Sequence, residues 1–339
     1  MCKKIQIVAL ALFALQFANG QIKKTEDFNI VKPDYTTQSN FSHLQIIDSR
    51  KDTANYGIVQ KGAFNKRALV QPKIPIAVQL DSIFHLLKAN ADATPQDTLV
   101  LQLRDMKFAE ITESFKETGY FYLRANAYHK KGQTYSEVNS TDLIETVNAM
   151  DVTQKNYKNA SRIINDFMGK AMSSKASPDR TFTVEQIVNM DKIEKQAIPL
   201  YAAEKLTDGI YVGYFGFKDQ IPNYTDFKVE RNKKGDVRGV KFLDHNGKYS
   251  SIGSDRMYAF VENGVPYIAT EYGFYKLIKR EDDYFYTGRV RVAGDGAAIV
   301  AASIMFGIIG GIVTSHNLET VEIMIDHITG ATVTQTSMK

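Results

Sequence analysis

Cysteine is almost missing from this chain of 339 residues: there is one, Cys2. It stands ahead of an apolar run that reads as a secretory leader, so it leaves with that leader. Disulfides, thiol nucleophiles and Cys-ligated metals are thereby excluded from the mature protein. Trp is absent altogether. Neither charge sign dominates, with 42 Lys and Arg against 38 Asp and Glu. Loss of Lys3 and Lys4 with a leader lowers the basic count to 40, still against 38 acidic residues. Such a balance gives no reason to invoke nucleic acid as a partner. Nucleophile elbows, Walker loops, dinucleotide fingerprints and a His-Glu-x-x-His helix have no match. The histidines, His43, His85, His129, His245, His316 and His327, are widely spread along the sequence. No catalytic set, no cofactor and no metal is expected from these residues, and the chain does not read as an enzyme.

What is present begins at the N-terminus. Lys3 and Lys4 precede the apolar core Ile7–Phe17, and Ala18-Asn19-Gly20 supplies small residues at the cleavage site. This is the three-part pattern of a signal peptide, 1–20, cut after Gly20 to leave Gln21. Cys2 lies before the apolar core rather than at its end, which is wrong for lipid attachment.

The second strong signal is 296–315, GAAIVAASIMFGIIGGIVTS, without a charge in 20 residues. As one helix it would reach about 30 Å, the hydrocarbon thickness of a bilayer. Ser303, Gly307, Gly311 and Ser315 recur every four positions, a small-residue stripe suited to close helix packing. Three readings stand: a transmembrane helix, a helix or bent hairpin buried in the fold with Gly310-Gly311 at the bend, and a segment inserted into a partner. Only Lys339 follows the segment, while Lys279, Arg280, Arg289 and Arg291 precede it, the reverse of the charge order for a simple inner-membrane anchor.

Between these signals the pattern divides the chain. Residues 21–43 are polar and aperiodic, an extended arm. Leu44–Asp48 reads as a strand. Leu80, Ile83, Phe84 and Leu87 make a helical stripe. Two alternating strands, Leu99 to Ile111 and Phe121 to Ala127, precede a second helical stripe of Ala160, Ile163, Ile164, Phe167 and Ala171. A small, polar stretch, Ser173 to Arg180, opens a linker and helical connection over 173–207, interrupted by Pro199. From 208 the chain turns to strands. Asn232-Lys233-Lys234-Gly235-Asp236, Glu262-Asn263-Gly264 and Glu281-Asp282-Asp283 read as hairpin turns. Val321, Ile323 and Ile325 alternate near the end. The expected fold class is α+β: an N-terminal β-α-β-β-α domain over 44–172, and a β-rich domain over 208–339. The latter is an antiparallel β meander with one long apolar Gly-rich helix at 296–315.

Smaller features read plainly. Asp244-His245-Asn246-Gly247 resembles a piece of a calcium loop but lacks the distal bidentate Glu, so a β-turn is expected. Glu281-Asp282-Asp283 reads as a solvated hairpin tip. His85 reads as a helix-surface residue. Asp48 and Arg50 are placed to pair or to end a strand. The sequons at Asn40, Asn139, Asn159 and Asn223 read as chance matches.

Over Leu44 to Met172, the run Ile46-Ile47-Asp48-Ser49-Arg50, the helix at Leu80 to Leu87 and the following strands and helix resemble bacterial YajG-type and ABC-transport auxiliary envelope lipoproteins. The chain departs from them in having no lipid-attachment cysteine. The second half resembles uncharacterised Gram-negative envelope proteins. That likeness rests on Asp208-Gly209-Ile210-Tyr211, Phe217-Lys218, Ile221-Pro222, the run Tyr258 to Gly264 and Phe274-Tyr275-Lys276-Leu277. These resemblances imply a periplasmic or envelope-membrane location and no activity. The expected function is a structural or assembly role, in contact with a membrane, an envelope protein or a second copy through 296–315. The alternative is a soluble periplasmic binding module that holds a peptide, glycan or lipid on the aromatic-rich β domain.

Overall fold

The computed structural model describes residues 24–51, 53–54, 56–61, 66–89, 97–113, 116–292 and 317–334. The first half runs β1 (Thr25–Glu26), β2 (His43–Asp48), β3 (Gly57–Lys61), β4 (Lys66–Val70), α1 (Ile76–Leu87), β5 (Thr98–Glu113), β6 (Lys116–Lys131), β7 (Thr134–Ala149), α2 (Thr153–Ser173) and β8 (Thr181–Phe182). Its strands form one sheet in the order β1-β4-β3-β5-β6-β7-β8, with β2 also paired to β5. The three 16-residue strands β5, β6 and β7 are antiparallel and carry the sheet.

Side chains alternate between faces along a strand. Leu99, Leu101 and Leu103 of β5, with Phe121, Leu123, Ala125 and Ala127 of β6, share one buried cluster with Leu80, Ile83 and Phe84 of α1 and Ile163, Ile164 and Met168 of α2. Both helices therefore cover one face. The intervening residues Val100, Gln102, Asn126 and Tyr128 point to the other. In the β5–β6 ladder, Leu103 faces Ala125 and Asp105 faces Arg124, so Arg104 is the extra residue of a bulge. A bulge re-aims the side chain it carries, and Arg104 is the side chain re-aimed here.

The described part of the arm, 24–43, is tied into this half. Phe28 and Phe41 are buried in its core. Gln79 Oε1 accepts from the Ile30 amide at 2.7 Å, and the Val31 amide donates to Ser161 Oγ at 3.0 Å. The stretch after α2 is held as well: the Ser177 amide donates to the Glu137 carbonyl at 2.8 Å, and Glu137 returns a bond to the Arg180 carbonyl at 2.9 Å.

Three short helices follow, α3 (Val184–Val188), α4 (Met190–Gln196) and α5 (Pro199–Ala202). Thr183 and Gln186 close a capping box at the start of α3, which satisfies two otherwise unpaired donors. Pro199 opens α5, where its missing N–H costs nothing. Then come β9 (Gly209–Tyr211), α6 (Tyr214–Lys218), β10 (Phe227–Arg231), β11 (Val237–Leu243), β12 (Tyr249–Ile252), β13 (Ala259–Glu262), β14 (Val265–Thr270), β15 (Gly273–Lys276), β16 (Ile278–Arg280), β17 (Asp283–Val292), β18 (Asn317–Ile325) and β19 (Thr332–Thr334). Asn263 and Gly264 both have positive φ, 55° and 76°, as a two-residue hairpin turn requires.

Two expectations about fold need correction. The single meander is three small antiparallel sheets, β10-β11-β12, β15-β14-β13-β9 and β16-β17-β18-β19. The described residues are mostly β, 45% strand and 22% helix, and none of the six α-helices among them is long and apolar. Among the described residues no helix is long and apolar enough to cross a membrane. The segment 296–315, with Ser303, Gly307, Gly311 and Ser315, lies outside the described residues. The ends of the connection that contains it do not: Val292 pairs with Asn317 across β17 and β18. The described helices include no long apolar Gly-rich one, and that element is dropped from the fold class.

One glycine tests the sheet directly. Gly57 has φ +97°, and a Cβ there would lie 1.9 Å from the Phe108 carbonyl oxygen. Gly57→Ala is expected to cost about 3 kcal/mol, seen as a lower urea midpoint with an unchanged slope. An unchanged midpoint would contradict the β3–β5 pairing at Gly57 and Phe108.

Candidate functional site

The face of the sheet not covered by α1 and α2 is polar, and the second half of the chain sits on it. A small apolar patch anchors the contact: Val100, Tyr128 and Tyr135 of the sheet cluster with Ile187 and Met190. Gln102 Nε2 donates to the Ile187 carbonyl at 2.7 Å, and Tyr128 Oη donates to Gln102 Oε1 at 3.0 Å.

Beside that patch lie two arginines, each almost fully buried. Arg104 Nη2 is 2.5 Å from both Asp191 Oδ1 and Glu194 Oε2 of α4, and its Nη1 is 2.8 Å from Glu194 Oε1. Arg124 makes two bonds of 3.0 Å to the carboxylate of Asp326, one from each terminal nitrogen. Its Nη2 also reaches Asp142 Oδ2 of β7 at 3.1 Å. His327 Nε2 lies 2.8 Å from Glu194 Oε2 and joins the two sets. A third junction lies nearby. Asp283 accepts from Lys195 at 2.5 Å on Oδ1 and from Lys51 at 2.7 Å on Oδ2. Bidentate arginine–carboxylate pairs are among the strongest polar contacts a protein makes.

The loop that carries Asp326 and His327 is held from several sides. Asp326 Oδ1 accepts from the Ile328 and Thr329 amides at 3.1 and 2.9 Å. Tyr214 Oη donates to the His327 carbonyl and Tyr258 Oη to the Gly330 carbonyl, both at 2.8 Å. Gly330 has φ +73°, and a Cβ there would strike the Tyr214 ring at 2.1 Å.

The charges are tuned by one another. Burial opposes the Glu194 carboxylate, but hydrogen bonds from His327 and Arg104 outweigh it and pull its pKa from 4.5 to about 2. Burial likewise opposes ionised Asp326, and the Arg124 guanidinium holds its pKa far below the usual carboxylate range. Burial weakens the charge on Arg104 and Arg124, and their carboxylate partners more than restore it.

A cleft of about 200 Å³ opens at this junction, lined in part by Arg104, Arg124, Asn126, Asp142, Arg180 and Glu194. Asp191, Glu194 and His327 could in principle ligate a metal, since one ligand atom of each lies within 4.8 Å of the others. The donor set does not fit that use. Arg104 already stands against both carboxylates as their cation, and a divalent ion there would face its full positive charge.

The structure sorts the remaining sequence candidates. Asp48 and Arg50 do pair, with Arg50 Nη2 at 2.7 Å from Asp48 Oδ2, and the guanidinium lies 4.1 Å over the Tyr56 ring. Asp244 closes its own turn, accepting from the Asn246 and Lys248 amides and from Ser250 Oγ. His85 is exposed and bonds the Asp81 carbonyl one turn back. Asn139 Nδ2 donates to the Phe167 carbonyl at 3.2 Å, toward α2. The acidic tip is corrected in part: Asp283 is buried and doubly paired rather than solvated. Sequence reasoning did not single out Arg104, Arg124, Asp142, Asp191, Glu194, Asp326 or His327 as a site. The available signal was the polar alternation of Gln102-Arg104 and Arg124-Asn126 on strands whose other face is apolar.

No family model matches the chain, and no curated protein matches it. Among solved structures, it is similar to a crystal structure of a Xanthomonas campestris protein described by the family model DUF330. The identity is 11% and the TM-score 0.29, over 43% of this chain and 91% of that one. A likeness that slight carries no argument about fold or function.

Two outcomes follow from the ion network. Arg124→Met leaves Asp142 and Asp326 without their shared cation, a change expected to cost about 3–5 kcal/mol of unfolding free energy. Chemical denaturation measures it, and a loss under about 1 kcal/mol would show that the pair is worth no more than a surface bridge. The pH dependence has a definite sign. Glu194 is held below its unfolded value, so its contribution is complete above pH 4.5 and is lost as pH falls toward about 2. Thermal unfolding of the wild type should fall across that window, and Glu194→Gln should flatten the fall. An equal slope in both would contradict the assignment.

Proposed function

We propose that this chain is an exported cell-envelope protein with a structural or assembly role, built as a rigid two-part scaffold and without enzymatic activity. The observation that carries the reading is the use made of the ionisable groups on the free face of the sheet. Arg104, Arg124, Asp142, Asp191, Glu194, Asp326 and His327 are bonded to one another at ion-pair distances. Groups so engaged orient two modules and are poorly placed to turn over a substrate. The aromatic residues of the second half also favour a scaffold. Tyr211, Tyr214, Phe217, Tyr284 and Tyr286 pack together in one buried cluster. The leader pattern at 1–20 and the envelope-type resemblances support export.

In this reading the chain works in the periplasm or at an envelope membrane, in contact with a membrane, an envelope protein or a second copy. Cell fractionation tests it. The mature protein is expected to begin at Gln21 and to stay with the envelope fraction through a high-salt and carbonate wash. A chain that still begins at Met1 in the cytosol would contradict export. Full release by the wash would favour a soluble periplasmic binding module.

A further inference from the structure

A second cavity, of about 210 Å³, lies where α4 and α5 meet the β16–β17 turn. Lys192, Lys195, Gln196, Tyr201, Lys279 and Asp282 line it. Lys195 is 5% exposed, and its Nζ is 2.5 Å from Asp283 Oδ1. Lys279 Nζ donates to the Tyr201 carbonyl. An ammonium group carries three donors and no acceptor. Among the described residues each of these two has a single hydrogen-bond acceptor. Asp283 cannot supply more, because its other oxygen is engaged by Lys51. Lys192 is exposed on the rim of the cavity and makes no ion pair among the described residues.

The charge around the cavity is unbalanced. Lys51, Lys192, Lys195 and Lys279 stand against Asp282 and Asp283. In the arginine cluster the balance runs the other way, with two arginines against four carboxylates. Lys195 is the buried ammonium of the set, and open donors on a buried ammonium are costly unless an acceptor reaches them; Lys279 is exposed. Lysine serves phosphate as a point charge with freely turning donors. At about 30 Å³ per water, the volume admits a phosphate with a small organic group attached.

We propose that this cavity binds a phosphate group, with Lys195 as the inner donor and the exposed Lys192 and Lys279 reaching it from the rim. The site does not depend on the envelope role: it holds wherever the chain works. Free phosphate and phosphate carried on a small molecule share this chemistry, so both serve as probes. Inorganic phosphate and glycerol 3-phosphate are titrated into the full mature protein, followed by calorimetry and by phosphorus NMR, with sodium chloride at matched ionic strength as the control. Saturable binding of either probe supports the site, and the tighter of the two tells whether phosphate enters free or carried. Lys192→Glu is expected to weaken binding on the order of tenfold, with an unchanged circular dichroism spectrum. Lys233→Glu, the same charge change in the β10–β11 turn, should leave affinity within about twofold. Three results would overturn the proposal: no saturable binding beyond chloride, equal weakening by both substitutions, or acetate binding as tightly as phosphate.

Discussion

A buried guanidinium cannot be left without acceptors, and the rest of this structure is arranged around two of them. Arg104 and Arg124 project from the face of the sheet that its own helices leave open. Taking a charged side chain out of water costs several kcal/mol before any partner is counted. The acceptors come mainly from the far half of the chain: Asp191 and Glu194 on α4, and Asp326 in the loop between β18 and β19. The second half must therefore sit where it does. The pairing also fixes orientation. An apolar face tolerates sliding, whereas a two-pronged contact between Arg124 and Asp326 is satisfied in one register.

The aromatic core of the second half serves the same constraint. Tyr214 and Tyr258 pack their rings together and send their hydroxyls to the loop that presents Asp326 and His327. Gly330 lets that loop pass against the Tyr214 ring with no side chain in the way. On the other side, the bulge at Arg104 turns its guanidinium toward α4 while the apolar alternation resumes with Met106 and Phe108 beneath the helices. Packing on each side thus sets the positions of the charges between them.

Much of the local structure was legible in the sequence because local rules govern it. The stripes at Leu80 to Leu87 and Ala160 to Ala171 became α1 and α2, and the Asn263-Gly264 turn formed where its dipeptide requires. β7 was not foreseen, because its outer edge is exposed and its sequence lacks a clean apolar alternation. The candidate site was illegible for a different reason. Arg124 and Asp326 are 202 positions apart, and nothing local in either strand names the other. The segment 296–315 lies outside the described residues.

The account rests on the claim that Arg124 and Asp326 hold the two halves together as a pair rather than as two independent polar residues. A double-mutant cycle measures that directly, with Arg124→Met, Asp326→Ala and the combined variant compared by equilibrium denaturation at neutral pH. The account predicts a coupling energy of about 2 kcal/mol or more, with the double variant costing well below the sum of the single ones. Additive costs, with coupling under about 0.5 kcal/mol, would contradict it.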